Sequence, residues 1–142
     1  MKTRIGYLLL GLGALGVALA GAAQTPPARR AGLWEVRQGP AGMTGVPAIK
    51  FCLSAAEANG DIGSENAAKD KSCNYQRLST SAGELTWRNV CKQGDDTMTM
   101  EGRAYDITPE RFKVDMKMAG SLGKGTVHSE WRWLGADCGN AK

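Results

Sequence analysis

From Gly32 to Leu134, apolar and polar residues alternate in short stretches with a period of two, the pattern of strands with one face buried and one face wet. Trp34 and Val36 alternate with Glu35 and Arg37, which predicts a first strand. A Gly- and Pro-rich loop, Gly39 to Pro47, leads to a second strand over Ala48 to Leu53, with Ile49 and Phe51 opposite in parity to Lys50 and Cys52. Ser54-Ala55-Ala56-Glu57 then fits a capping box, in which the Ser hydroxyl accepts from the third helical amide and the Glu reaches back. One short helix of one or two turns is expected, ending near Gly60, followed by a polar, turn-prone stretch from Asp61 to Ser72.

The second half reads as successive hairpins. Cys73 to Thr80 and Glu84 to Lys92 flank Ser81-Ala82-Gly83, a three-residue loop that predicts a G1 bulge with Gly83 in the left-handed conformation. Thr80 then faces Glu84, and counting outward sets Cys73 opposite Cys91, on the same face as Tyr75, Leu85 and Trp87. Strands follow over Thr97 to Ile107 and Arg111 to Met118, joined around Thr108-Pro109-Glu110. The last runs from Thr126 to Leu134, with Val127, Trp131 and Trp133 on one face. The expected fold is mainly β: an antiparallel meander of about seven strands in a strongly curved sheet or partly closed barrel, with one short helix.

The N-terminus departs from this pattern. Lys2 and Arg4 precede an apolar run from Ile5 to Ala20, and small residues follow at Gly21-Ala22-Ala23. That is the layout of a cleaved export signal, so residues 1–23 are expected to be removed. Residues 24–31, Pro-rich and basic, are expected to form an extended, mobile leader, and residues 32–142 a single β domain. No second apolar stretch is long enough to span a membrane. The formal charge of +4 shrinks once the signal takes two of the 18 basic residues, against 14 acidic ones. Both signs are interspersed, and no nucleic-acid partner is expected.

All four cysteines, Cys52, Cys73, Cys91 and Cys138, lie beyond the signal. An even count in an exported chain predicts two disulfides, whereas a four-Cys zinc site needs paired Cys-x-x-Cys knuckles that are missing here. The hairpin register motivates Cys73–Cys91 among the three possible pairings, leaving Cys52–Cys138.

The run of Gly32-Leu33-Trp34-Glu35, Cys52-Leu53 before the helix, Lys71-Ser72-Cys73, Trp87 four residues ahead of Cys91, the Met-rich Thr97 to Gly102 and a terminal Leu134-Gly135-Ala136-Asp137-Cys138 resembles the secreted bacterial family known as domain of unknown function 3617. The resemblance implies an exported protein of a Gram-negative envelope, hence the periplasm. It implies no catalytic activity and no site residues.

Candidate chemistry is sparse. His128 has the parity of Glu130 and Arg132, opposite to Trp131 and Trp133, and reads as a surface residue without a nucleophile to serve. Asp95-Asp96 follows Gly94 in an expected turn, where adjacent carboxylates point apart. Met98, Met100, Met116 and Met118 share one face with Phe112 and Val114. Thioethers select Cu(I), yet the same positions continue an apolar stripe that needs no ligand. With Trp34, Trp87, Trp131 and Trp133 they are candidates to line a concave face for an apolar small ligand. These features point to a non-enzymatic exported binding or interaction module with no cofactor. The alternatives are an inhibitor or partner of another envelope protein, carrying its contacts on loops such as Gly39 to Pro47, and a Cu(I)-binding protein acting through the Met stripe.

Overall fold

The computed structural model describes residues 25–40 and 46–141. The expected export signal, most of the loop after the first strand and the terminal Lys142 lie outside the described residues. Seven strands form one antiparallel sheet: β1 (Gly32–Gly39), β2 (Ala48–Leu53), β3 (Cys73–Thr80), β4 (Glu84–Gln93), β5 (Asp96–Tyr105), β6 (Arg111–Gly120) and β7 (Gly123–Gly135). Their order is β2-β1-β7-β6-β5-β4-β3. Strands β3 to β7 are therefore a meander, and the β1–β2 hairpin adds to its far side. The sheet is open, with β2 and β3 as its edges, so it does not close into a barrel.

Two short helices, not one, separate β2 from β3. Helix α1 (Ala55–Asn59) starts with the expected capping box: Ser54 Oγ accepts from the Glu57 amide and the Glu57 carboxylate accepts from the Ser54 amide. Helix α2 (Glu65–Lys69) falls in the stretch expected to be turn-prone. Five residues are too few to carry a helical period. Tertiary ties hold it instead, since Glu65 pairs with Arg29 and Lys69 with Glu57.

Both expected disulfides are present, Cys73–Cys91 and Cys52–Cys138. The β3–β4 register reaches Cys73 opposite Cys91 by a different route from the one the loop implies. Thr80 faces Leu85 rather than Glu84, and an irregularity between Arg77 and Ser79 absorbs the odd residue. Gly83 is not left-handed. Among the hairpin glycines, positive φ values fall instead at Gly94 (63°), within the two-residue β4–β5 turn, and at Gly123 (123°), just after the two-residue β6–β7 turn.

One face of the sheet carries the core. Trp34, Leu53, Leu85, Trp87, Ala104, Phe112 and Val114 are buried together, and Ala58, Ile62 and Ile107 pack onto them from the helical segment and the β5–β6 turn. Trp34 and Phe112 lie with ring centroids 5.5 Å apart, and Phe112 stacks on Trp131 at 4.9 Å. The Trp87 indole lies between two glycines. A Cβ on Gly63 would sit 2.2 Å from its Nε1, and one on Gly102 would sit 2.2 Å from its Cζ2.

The ordered contacts of the domain begin before Gly32. Arg29, within the leader expected to be mobile, is 6 % exposed. Its guanidinium donates to Glu65 Oε1 at 2.8 Å, to the Glu57 carbonyl at 2.6 Å and to the Gly60 carbonyl at 3.2 Å. A buried charge needs such partners, and the carbonyls at the end of α1 together with a carboxylate supply them. Arg30 follows with a backbone bond to Pro109, and its guanidinium lies 4.3 Å from the Trp133 ring centroid.

Candidate functional site

The aromatic and thioether residues singled out by the sequence share the core face of the sheet. Trp34 is fully buried and its Nε1 donates to the Arg30 carbonyl at 2.9 Å. Trp133 Nε1 donates to the Ala31 carbonyl at 3.1 Å, and Trp131 Nε1 to Ser129 Oγ at 2.9 Å. Trp87 is buried between Gly63 and Gly102. The Met stripe divides. Met100 is buried and Met116 packs against the core, while Met98 and Met118 are half-buried beyond the core cluster. Met100 and Met118 are direct cross-strand partners.

His128 lies on the other face, as its parity requires. It is half-buried rather than freely solvated, with Nδ1 2.7 Å from Asp115 Oδ1 and Nε2 3.7 Å from Glu130 Oε1. No Ser, Thr or Cys among the described residues hydrogen-bonds it, so the elements of a nucleophilic triad are not assembled. Asp95 and Asp96 are exposed in the β4–β5 turn. The described residues bring no cluster of three His, Cys, Asp or Glu together as a metal site.

The polar face has an order of its own. Reading across strands, Lys117 faces Glu101 and Glu101 faces Arg88. One row along, His128 faces Asp115 and Asp115 faces Arg103. In the next, Arg37 faces Glu130 and Glu130 faces Lys113. Opposite charges placed directly across a ladder attract, and ion pairs join several of them, as in Arg88–Glu101 at 2.6 Å. The last row runs Lys50, Glu35, Arg132, Arg111, and ends in two arginines facing each other.

Three members of that row, Glu35, Arg132 and Arg111, line a cleft of about 890 Å³. Arg37, Lys113 and Glu130 line it as well, with Phe112 and Trp131, Gly83 and the β5–β6 turn from Asp106 to Thr108. The Ile107 amide donates to the Gly83 carbonyl at 3.5 Å, which ties the two turns together. Of the eight residues expected to line a ligand space, Trp131 alone borders this cleft, from β7. Asp106, 3.2 Å from Lys113, raises the lysine above its usual pKa. Tyr105 lies alongside, with the Arg103 guanidinium 4.9 Å from its ring centroid, and desolvation raises its phenol. The alternating charges gave no sequence signal for this site. Only the β6–β7 register shows which two arginines meet.

The chain belongs to the family of proteins of unknown function DUF3617, whose model matches residues 29–138. The match begins at Arg29, where the ordered contacts of the domain begin, and ends at Cys138, the last bridged cysteine. No curated protein and no solved structure matches the chain.

Proposed function

We propose that this protein is an exported, non-enzymatic binding module of the periplasm, and that its ligand site is the cleft floored by β1, β7 and β6. The observation that carries this reading is the cleft itself: about 890 Å³, within the ~300–1,000 Å³ typical of small-molecule sites, and bordered by charged side chains held on rigid strands. Its lining favours a polar or amphiphilic guest over the wholly apolar one that the Trp and Met pattern implies.

The test is an NMR titration of the disulfide-bonded protein with a small set of neutral, cationic and anionic probes. Shifts confined to residues around Glu35, Arg37, Thr108 and Glu130 support the reading. Shifts at Met98 and Met118 alone, or none with any probe, refute it.

A second reading, a Cu(I) site, is favoured by one observation. Met118 lies directly across from Met100, and Met98 lies two residues along the same face, only half-buried. With His128 on the opposite face, the ligands would be thioethers alone. Native mass spectrometry with Cu(I) tests it: one copper bound by the wild type and none by the Met98→Leu/Met118→Leu variant is the expected result.

A further inference from the structure

We infer that the cleft recognises an oxyanion, a phosphate or carboxylate group, held between Arg111 and Arg132. The inference rests on the binding-module reading above and names the chemistry of its ligand.

The like-charge contact is the starting point. The rows Lys117–Glu101–Arg88 and Arg37–Glu130–Lys113 alternate in sign from strand to strand, and another breaks the rule where Arg111 faces Arg132. Two like charges directly opposite on a ladder repel, so on stability alone this pair is unfavourable. Glu35 relieves part of it, since it accepts from Arg132 Nη2 at 3.1 Å and lies 3.6 Å from Arg37 Nε. One carboxylate thus answers two guanidiniums, and Glu35 is itself largely buried beneath them. Arg111 makes no ion pair among the described residues, although every other arginine of this face does.

The backbone under Arg111 is fixed in advance. Thr108 Oγ1 accepts from the Arg111 amide at 3.0 Å, and the Thr108 amide donates to the Arg111 carbonyl at 2.9 Å. Arg111 and its cross-strand partner Arg132 both line the cleft of about 890 Å³, and the Arg111 guanidinium makes no ion pair among the described residues. Paired forks of this kind suit the oxygen geometry of phosphate and carboxylate, and a bound anion would remove the repulsion between them. A free small molecule and a lipid headgroup both present this group.

The experiment uses the full mature chain with both disulfides. Isothermal titration with inorganic pyrophosphate and with citrate, at low and at physiological salt, forms the soluble arm. Cosedimentation with phosphatidylglycerol and phosphatidylcholine vesicles forms the lipid arm. Arg111→Gln and Arg132→Gln are compared with Arg88→Gln, which lies on the same face outside the cleft. The expected result is a loss of tenfold or more in anion affinity for Arg111→Gln and Arg132→Gln, with Arg88→Gln within twofold of wild type. Arg111→Gln should melt with the wild type, which separates lost binding from lost folding, and Arg111→Lys should recover only part of the affinity. Binding to phosphatidylglycerol alone, abolished by Arg111→Gln, supports the inference with a lipid as the source. An equal loss in Arg88→Gln overturns it, because the attraction is then that of the whole face. No anion binding while a neutral probe still shifts the cleft resonances overturns the oxyanion and leaves the binding site. No response to any probe overturns both.

Discussion

Arg29 Nη1 lies 2.8 Å from Glu65 Oε1, with the arginine side chain almost wholly removed from solvent. This contact joins the segment before β1 to helix α2, and the same guanidinium caps the end of α1 through the Glu57 and Gly60 carbonyls. The helical segment covers the core face through Ala58, Ile62 and Gly63. Arg29 therefore holds down the lid of the core.

Replacing Arg29 by Ala removes the donor to Glu65 Oε1 and to two carbonyls, leaving Glu65 only the Gly63 amide. A loss of about 3–5 kcal/mol is expected in urea unfolding, since one partner of a buried pair has been removed. Arg88→Ala, which breaks an exposed pair with Glu101, should cost about 1 kcal/mol or less. Equal losses in the two variants would contradict the assigned role of Arg29.

Acid should loosen the α1 cap. The Lys69 ammonium, 2.8 Å away, and the Ser54 amide and hydroxyl hold the Glu57 carboxyl down at about 2. A carboxyl depressed in the folded state stabilises it fully above the ordinary value of 4.5, and that contribution fades as pH falls toward 2. Glu57→Gln is expected to be less stable than wild type at pH 6, with the gap closing between pH 4.5 and 2. Denaturant midpoints across that range measure it, and a gap independent of pH would contradict it.

Gly102 is a steric test of the core. An added Cβ meets the Trp87 ring at 2.2 Å, so Gly102→Ala must displace the indole. Overpacking of this kind costs about 1–3 kcal/mol or more, and the near-ultraviolet dichroism of Trp87 should change with it. Gly125→Ala, where a Cβ meets nothing within 4 Å, should leave both stability and spectrum close to wild type.

The Met stripe should split by position. Met100→Ala removes a buried side chain and is expected to cost about 2–5 kcal/mol. Met98→Ala, two residues away on the same face but half-buried, should cost less than about 1 kcal/mol. Thermal melts of the two variants distinguish a divided stripe from a uniform core.

Much of the strand placement, though not the pairing of β1 with β7, was legible because alternation survives in single residues: Trp34 against Glu35, Phe112 against Lys113, Trp131 against Arg132. The capping box at Ser54 and Glu57 was legible because it is a local hydrogen-bonding unit. The partner of Cys73 was legible even though the turn chemistry behind it was not, since the irregularity at Leu78 offsets the shifted loop. Helix α2 and the burial of Arg29 were not legible. Each depends on the other, through an ion pair 36 residues apart in sequence. The cleft was hidden for a similar reason. Arg111 and Arg132 look like ordinary members of a wet face until the ladder sets them side by side.

By itself the sequence determined a disulfide-bonded, mainly β domain with one apolar and one charged face, because side-chain alternation and local capping are properties of neighbouring residues. The tertiary structure alone decided that the sheet stays open, that a leader arginine secures the helical lid, and that two like charges meet in the lining of a cleft. Those outcomes depend on contacts between distant segments, and strand register, rather than composition, sets which side chains come together.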